Sequence, residues 1–230
     1  MSQENRNSDY HKSMFPPLET ADEDGILCFS KSITTNMLID AYQHGIFPWP
    51  FDANYPVIPW SSPAMRGILP VSEVHIPHGL RRELSKYPFD FHVNANFKGV
   101  MEACANATRP DQDGTWITPV IIDAYQKFHE LGYAHSFEAY SKEGELVGGL
   151  YGVSVGKIFC GESMFYKISG ASKFAFVNMV KYLEKLGVVL LDTQVVTSAT
   201  AAFGAREIPR ETYISLLSQF GGPPLVFPPI

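Results

Sequence analysis

The sequence of 230 residues lacks the features that define several common classes of protein. Its three cysteines, Cys28, Cys104 and Cys160, are too few and too far apart to predict a disulfide framework or paired zinc ligands. No apolar run approaches the roughly 18 residues of a membrane-spanning helix, and the polar start, Met1 to Lys12, lacks the apolar stretch of a signal peptide. These absences predict a protein of the reducing cytoplasm with no membrane partner.

Motifs that hold nucleotides or metals are also missing. The chain contains no glycine-rich phosphate loop, no dinucleotide fingerprint, no serine-hydrolase elbow and no H-E-x-x-H zinc motif. Its seven histidines show no metal-ligand spacing, so we expect no cofactor and no metal. The formal net charge of -6 disfavours general binding of long nucleic acids, which needs a basic surface, but it leaves room for a basic patch at the end of one RNA.

Hydrophobic patterning divides the chain into two parts. Residues 1–70 are rich in aromatics, proline and glycine, and they predict a small irregular N-terminal domain with a disordered start, a helix near Thr35–His44 and a stiff loop over Gly45–Pro50. Residues 71–230 predict an α+β domain in which helices flank a mixed sheet. The predicted helices are 79–86, 97–107, 119–131, 172–186 and 210–219, and the predicted strands are 135–141, 145–155, 157–161 and 188–196.

Polar residues interrupt the apolar strand that begins at Val188. Residues two apart on a strand point to the same face, so Asp192 and Gln194 are predicted to hold one another or a ligand. A buried carboxylate needs a partner. A structural role for Asp192, bonded to backbone amides, therefore explains the pattern equally well.

Glu162 ends another strand, where ligands often lie, although a strand-end glutamate facing water is the simpler explanation. Trp49 and Trp116 occupy loops, where a tryptophan either stacks on nucleobases or fills a core. Several basic residues are predicted to contact RNA phosphates, or else to form a solvated helix face: Arg66, Arg81, Arg82, Lys86 and Lys98.

Short motifs occur in a fixed order along the chain. They include Gly45-Ile46-Phe47-Pro48-Trp49, Gly114-Thr115-Trp116-Ile117-Thr118, Phe159-Cys160-Gly161-Glu162-Ser163-Met164-Phe165, and Asp192 with Gln194. This ordered set resembles the leucyl/phenylalanyl-tRNA–protein transferase family. The resemblance implies a GNAT-like acyltransferase fold without acetyl-CoA. It also implies an enzyme that moves Leu or Phe, and possibly Met, from aminoacyl-tRNA to proteins beginning with Arg or Lys, which marks them for degradation under the N-end rule.

The resemblance also implies roles for single residues. Asp192, held by Gln194, would orient the attacking amine and accept its charge, and Glu162 would anchor a substrate amine; the division of roles between the two carboxylates stays open. Trp49 and Trp116 would hold the terminal adenosine of the tRNA. The pocket for the Leu or Phe side chain would consist of Leu150, Phe159, Met164, Met179 and Leu191.

The chain departs from the family pattern at a few positions. Ser61 stands where the family has a second tryptophan, and other departures occur at Thr193, Thr197 and Ala199; these concern specificity more than reaction class. Two other functions are alternatives. An acetyl-CoA-dependent N-acyltransferase would need a glycine-rich pyrophosphate loop, which Ser169–Ser172 does not match. The other is a non-catalytic module that binds tRNA ends or degradation signals.

Overall fold

The computed structural model describes residues 13–49, 57–86, 89–107 and 115–230, without the side chains of Arg81 and Glu83. Residues 1–12 of the predicted disordered start lie outside the described ranges. Pro50, at the end of the predicted stiff loop, also lies outside them.

A small antiparallel sheet, one α-helix and a 3-10 turn at Leu18–Thr20 form the described N-terminal part. The strands are β1 (Ile26–Ser30), β2 (Phe47–Pro48) and β3 (Ile58–Ser61), in the order β1-β3-β2. Helix α1 (Thr35–Gln43) confirms the predicted helix, since the Thr34 side chain caps its start and Gly45, with a φ of +74°, follows its end. The predicted loop is wrong at Phe47–Pro48, which pair with β3 on the edge of the sheet, where a proline costs no ladder bond.

A seven-stranded sheet forms the rest of the structure. Its strands are β4 (Met65–Pro70), β5 (Asp90–Val93), β6 (Ala134–Tyr140), β7 (Leu146–Val155), β8 (Ile158–Tyr166), β9 (Leu190–Gln194) and β10 (Arg206–Pro209), in the order β10-β4-β9-β8-β7-β6-β5. Every neighbouring pair is antiparallel except β8 and β9, so the sheet is mixed. Because β4 belongs to this sheet, we propose that the domain boundary predicted at residue 70 lies before Met65.

Helices cover both faces of this sheet, which confirms the predicted α+β class. They are α2 (His78–Leu84), α3 (Phe97–Ala105), α4 (Pro119–Glu130), α5 (Ala171–Lys185), α6 (Ser198–Ala201) and α7 (Arg210–Phe220). Helices α1, α3, α4 and α7 bury apolar residues in one core cluster, and α5 buries its apolar face in a second cluster. The five helices predicted after residue 70 agree with these bounds to within two residues at each end.

Strands β8 and β9 separate after a short stretch of pairing. Their register joins Ile158 to Leu190 and Cys160 to Asp192, and it ends there. Beyond that point β7 is the only described strand that pairs with β8. Strand β9 ends at Gln194, whose φ of +62° turns the chain away from the sheet. The separation opens a cleft inside the sheet, between two strands that are neighbours at their start.

Candidate active site

A cavity of about 480 Å³ lies where β8 and β9 separate. It brings together three groups of residues that the sequence singled out: both carboxylates with Gln194, the five residues of the predicted side-chain pocket, and the two loop tryptophans. All of them line the cavity, namely Asp192, Gln194, Glu162, Leu150, Phe159, Met164, Met179, Leu191, Trp49 and Trp116.

One part of the cavity wall is apolar. Leu150, Phe159, Met179 and Leu191 are buried in it, whereas Met164 is 37% exposed. Phe176 of α5 also lines this wall, and it was missed as a site residue although it lies one turn before Met179 on the buried face of a predicted helix. Flexible methionine and leucine side chains next to aromatic rings suit an apolar guest of more than one shape.

Asp192 is fully buried, and four donors satisfy its carboxylate. Arg66 donates to Oδ1 through Nε at 2.8 Å and to Oδ2 through a terminal nitrogen at 2.6 Å. The Tyr213 hydroxyl donates to Oδ2 at 2.8 Å, and the backbone N–H of Gln194 donates to Oδ1 at 2.9 Å. Because donors from the protein engage both oxygens of the Asp192 carboxylate, neither oxygen is free to contact a substrate.

The structure corrects the prediction that Arg66 contacts tRNA. Its residue is 1% exposed, because the guanidinium is paired with Asp192 inside the sheet. The guanidinium also donates to the carbonyl oxygen of Gly45 at 3.1 Å and lies 4.3 Å and 4.5 Å from the ring centres of Phe47 and Tyr213. These contacts desolvate the charge on all sides, which leaves no face of it for a phosphate.

Glu162 lies on the open side of the cleft and is only partly buried. Its Oε1 accepts hydrogen bonds from the Tyr42 hydroxyl at 2.6 Å and from Nε2 of Gln194 at 2.8 Å. Burial is the main cause that raises the pKa of this carboxyl to about 8; the Tyr42 hydrogen bond opposes the rise and the charge of Asp192 adds to it. Near neutral pH, Glu162 can therefore take up a proton and release it again.

Gln194 connects the two carboxylates, but not as predicted. Strand alternation placed its side chain beside Asp192, whereas only its backbone N–H bonds to Asp192 and its side chain bonds to Glu162. The left-handed φ of Gln194 breaks the alternation on which the prediction rested.

Two tyrosines extend this network beyond the residues that were singled out. Tyr42 of α1 and Tyr125 of α4 are buried, and their hydroxyl oxygens lie 2.6 Å apart. Tyr42 reaches Glu162 from the N-terminal part of the chain. A buried tyrosine hydroxyl needs a hydrogen-bond partner. A tyrosine on the apolar face of each predicted helix was therefore the signal in the sequence that could have revealed these two residues.

The residues predicted to bind RNA are placed differently from one another. Trp49 is half-buried and Trp116 is 9% exposed, and both line the cavity. Arg82 is exposed on α2, and the side chain of Arg81 lies outside the described residues. Contact of these residues with tRNA stays a prediction.

The described residues include no helix that is both long and apolar enough to cross a membrane. In the same part of the chain, no group of three or more His, Cys, Asp or Glu residues is arranged to hold a metal ion. The three cysteines are free thiols, two of them buried.

Two family models and several relatives match most of this chain in sequence. The family model described as leucyl/phenylalanyl-tRNA protein transferase matches residues 68–218, and the model of its N-terminal domain matches residues 31–64. A leucyl/phenylalanyl-tRNA–protein transferase of Saccharophagus degradans is 44% identical over 91% of this chain and 85% of its own length. That of Nitrosospira multiformis is 45% identical over 90% and 88%. Among solved structures, a GCN5-related N-acetyltransferase-like protein from Streptococcus suis superposes with a TM-score of 0.34 at 15% identity, over 76% of this chain and 64% of that one.

Proposed function

Because the chain belongs to the leucyl/phenylalanyl-tRNA–protein transferase family, we propose that its cleft joins leucine or phenylalanine carried on tRNA to the N-terminal amine of another protein. On this proposal the chain is an aminoacyltransferase whose donor is already activated as an ester. The observation that carries it is a titratable carboxylate, Glu162, beside an apolar pocket in the same cavity.

The apolar wall supports a donor with a leucine or phenylalanine side chain. The side chains that surround this space carry no charge, namely Leu150, Phe159, Phe176, Met179 and Leu191. Burying an apolar side chain of this size contributes about 1.5–3 kcal/mol. The pocket would thus hold the donor by its side chain and leave the ester carbonyl toward Glu162.

Attack by the α-amine on the ester requires a group that accepts the proton of that amine. The attacking α-amine has an ordinary pKa of about 7.7–8.0 and is largely protonated at pH 7. Glu162, with a pKa of about 8, is matched to that amine and can take its first proton. The amine nitrogen then bonds to the carbonyl carbon, the bond from that carbon to the ribose oxygen breaks, and the second amine proton goes to the ribose oxygen.

The other polar residues of the cleft would position Glu162. Gln194 and Tyr42 both donate to Oε1, which fixes the carboxyl plane. Asp192, neutralised by Arg66, holds the backbone of Gln194. We therefore propose that Glu162 transfers the proton and that Asp192 holds Gln194 in position, which is one of the two divisions of roles that the sequence left open.

The finer identity of the substrates follows from the family resemblance. We propose that acceptors begin with Arg or Lys, that the added residue marks them for degradation, and that the reaction takes place in the cytoplasm, where aminoacyl-tRNA is made. Trp49 and Trp116 support a nucleobase contact at the cavity wall. Arg82 on the exposed face of α2 is the described basic residue of the predicted RNA-binding pair.

A direct transfer assay tests the proposal. Purified protein is mixed with leucyl-tRNA labelled in the leucine and with a peptide that begins with Arg, and the label on the peptide is measured. We expect transfer to this peptide and to its Lys-initial version, but none to the same peptide with an acetylated N-terminus. Absence of label on the free peptide, or labelling of the peptide by acetyl-CoA instead, would contradict the proposed function.

A further inference from the structure

The start of helix α5 has backbone donors without an acceptor among the described residues. The helix has 15 residues and begins at Ala171, and no side chain caps it because Gly170 occupies the position before it. Ala171 donates to the carbonyl oxygen of Ile168, but no described group accepts from the backbone N–H of Ser172 or Lys173. Such a start combines unpaired N–H groups with the positive end of the helix dipole, and both attract an anion.

Ser172 gives an independent sign of a ligand. The residue is only 6% exposed, yet its hydroxyl makes no hydrogen bond within the described part of the chain. A buried hydroxyl without a partner destabilises the fold. Ser172 lines a cavity of about 780 Å³, which we call the outer cavity. A ligand in this cavity would supply the partner that the hydroxyl lacks.

The outer cavity also has a cation on its lining. Lys167, in the bend between β8 and α5, is exposed and makes no ion pair with a described residue. The other charged residue of the described lining is Glu102, on the facing helix α3. Glu102 lies 3.9 Å from the ammonium of Lys98 and its side chain is 53% exposed, so its charge is both paired and screened by water. Lys167 and the start of α5 therefore leave the cavity with a positive balance.

Close packing on β7 fixes the start of α5. A Cβ built on Gly148 would lie 2.5 Å from the Cβ of Ala171 and 2.9 Å from the backbone nitrogen of Ser172. Any side chain at position 148 would thus push the first turn of α5 away from the sheet. Packing and not a hydrogen bond holds Ser172 at the outer cavity, so its donors are in place before a ligand arrives.

The outer cavity meets the active-site cavity at Met164, which lines both. On the proposed function, the aminoacyl group and the terminal adenosine occupy the active-site cavity, and the rest of the RNA must leave through its mouth. A phosphate that precedes this adenosine is then an anion close to the outer cavity. The acceptor fits less well, because a chain that begins with Arg or Lys is positively charged and would be repelled by Lys167 and the start of α5.

We propose that the outer cavity binds one backbone phosphate of the tRNA 3′ end, held by the hydroxyl of Ser172, the backbone N–H groups at the start of α5 and the ammonium of Lys167. The inference rests on the proposed function and adds to it a contact with the donor. The contact is independent of base and amino acid, because the phosphate is the same in every tRNA. It would fix the register in which the 3′ end enters the active site.

Neutral linkages in the donor test this contact with the unaltered protein. The probes are leucyl-tRNAs in each of which one of the last four phosphodiesters is replaced by an uncharged methylphosphonate. The KM should rise roughly 10- to 100-fold for one member of the series, as for the loss of a charge-assisted hydrogen bond. The other members should change much less, because a single phosphate occupies the outer cavity.

Variants of the outer cavity identify the partners of that phosphate. Lys167→Ala and Ser172→Ala should each raise the KM for unmodified leucyl-tRNA about tenfold, and neither should add to the effect of the sensitive neutral linkage. Lys167→Ala should also reduce the salt dependence of log KM by about 0.7, whereas Ser172→Ala should not. Lys181→Ala, at an exposed position of α5 outside the cavity, is the matched control.

Thermal unfolding separates binding by Ser172 from a structural role. Because its hydroxyl has no partner within the described part of the chain, Ser172→Ala should unfold at the same temperature as the parent protein or at a higher one. The variant would then combine weaker binding of leucyl-tRNA with undiminished stability. A lower unfolding temperature would show that the hydroxyl supports the fold, and it would remove Ser172 from the proposed site.

The possible outcomes separate the inference from the proposed function. If unmodified leucyl-tRNA donates no leucine, the proposed function fails and the inference fails with it. If it is a donor but KM is the same for all four neutral linkages, or if the effects of Lys167→Ala and the sensitive linkage add, no phosphate lies in the outer cavity and the proposed function stands. A rise in KM for the peptide in place of leucyl-tRNA would assign the outer cavity to the acceptor and overturn the inference.

Discussion

Strands β8 and β9 each carry a carboxylate, and the two carboxylates lie in opposite environments. Asp192 belongs to the part where the strands pair, and Glu162 to the part where they have separated. In the paired part, Asp192 is fully buried and its charge is balanced by Arg66. In the separated part, Glu162 faces the cavity, and burial raises its pKa to about 8. The difference shows that the path of the backbone decides the surroundings of each carboxylate. Where the strands are paired, Arg66 compensates the charge of Asp192, and where they have separated, Glu162 is left with a raised pKa.

The largest effect is expected from removing the titratable carboxylate. Glu162→Gln should lower kcat for leucine transfer by roughly 100- to 10,000-fold, the usual contribution of a general base. The variant should at the same time be more stable above neutral pH. The pKa of Glu162 is raised from 4.5 to about 8 in the folded state, so the folded protein holds a proton that the unfolded chain has lost, and stability falls as pH rises between these values.

Thermal unfolding across pH 5 to 9 measures the second effect. The parent protein should lose on the order of a few kcal/mol over this range relative to Glu162→Gln. Glu145→Gln, at an exposed hairpin position, is the control and should follow the parent. Normal turnover by Glu162→Gln would remove this residue from the mechanism and return the role of proton acceptor to Asp192.

Breaking the ion pair in the paired part should damage the fold more than the chemistry. Arg66→Ala leaves the Asp192 carboxylate buried without its cation, which should lower the free energy of unfolding by about 3–5 kcal/mol. Asp192→Ala should have a comparable effect, and a double variant should lose much less than the sum of the two because no charge remains uncompensated. Urea unfolding measures all three proteins. A stable Arg66→Ala protein that had lost only affinity for tRNA would restore the original prediction for this residue.

A smaller effect should come from the tyrosine that reaches across from the N-terminal part. The Tyr42 hydrogen bond lowers the pKa of Glu162, so Tyr42→Phe should raise that pKa further. The rate should fall by about tenfold at pH 7 and recover at higher pH, where the carboxyl ionises again. Tyr125→Phe, one hydrogen bond farther from Glu162, should shift the pH profile less. An equal loss of rate at every pH would indicate damage to packing instead.

An effect on substrate binding and not on the chemical step is expected at the cavity wall. Trp116→Ala or Trp49→Ala should raise the KM for leucyl-tRNA by an amount corresponding to about 1–3 kcal/mol of stacking, with a smaller change in the KM for the peptide. Phe29→Ala is the control, since this aromatic ring is exposed and outside the cavity. Equal increases for both substrates would mean that the tryptophans support the fold and not the RNA.

The elements that sequence predicted well are those with a strong local pattern. Helix α4 has its apolar face, Thr118 as cap and Pro119 at its first position, and all three are visible in the sequence. Strands β4 and β10 were not predicted, because they are short and acquire their role only by pairing with strands that are distant in sequence. Local periodicity carries no information about such long-range pairing.

The residues that form the site could be predicted from the sequence, but the contacts between them could not. Glu162, Asp192 and Gln194 were placed in one site on the strength of motif and strand position, and the structure brings them together. The partner of Asp192 was not predictable, since Arg66 is 126 residues away and reads as a surface cation. The side-chain direction of Gln194 depends on one left-handed residue that strand alternation excludes.

The guanidinium of Arg66 has a consequence for how the molecule assembles. It ties together the carbonyl of Gly45 and the carboxylate of Asp192, which come from distant parts of the chain. Closing so long a loop costs entropy before any contact compensates it. During synthesis this contact can form only after β9 has emerged from the ribosome. We therefore expect that transfer activity appears late in folding and in a single cooperative step.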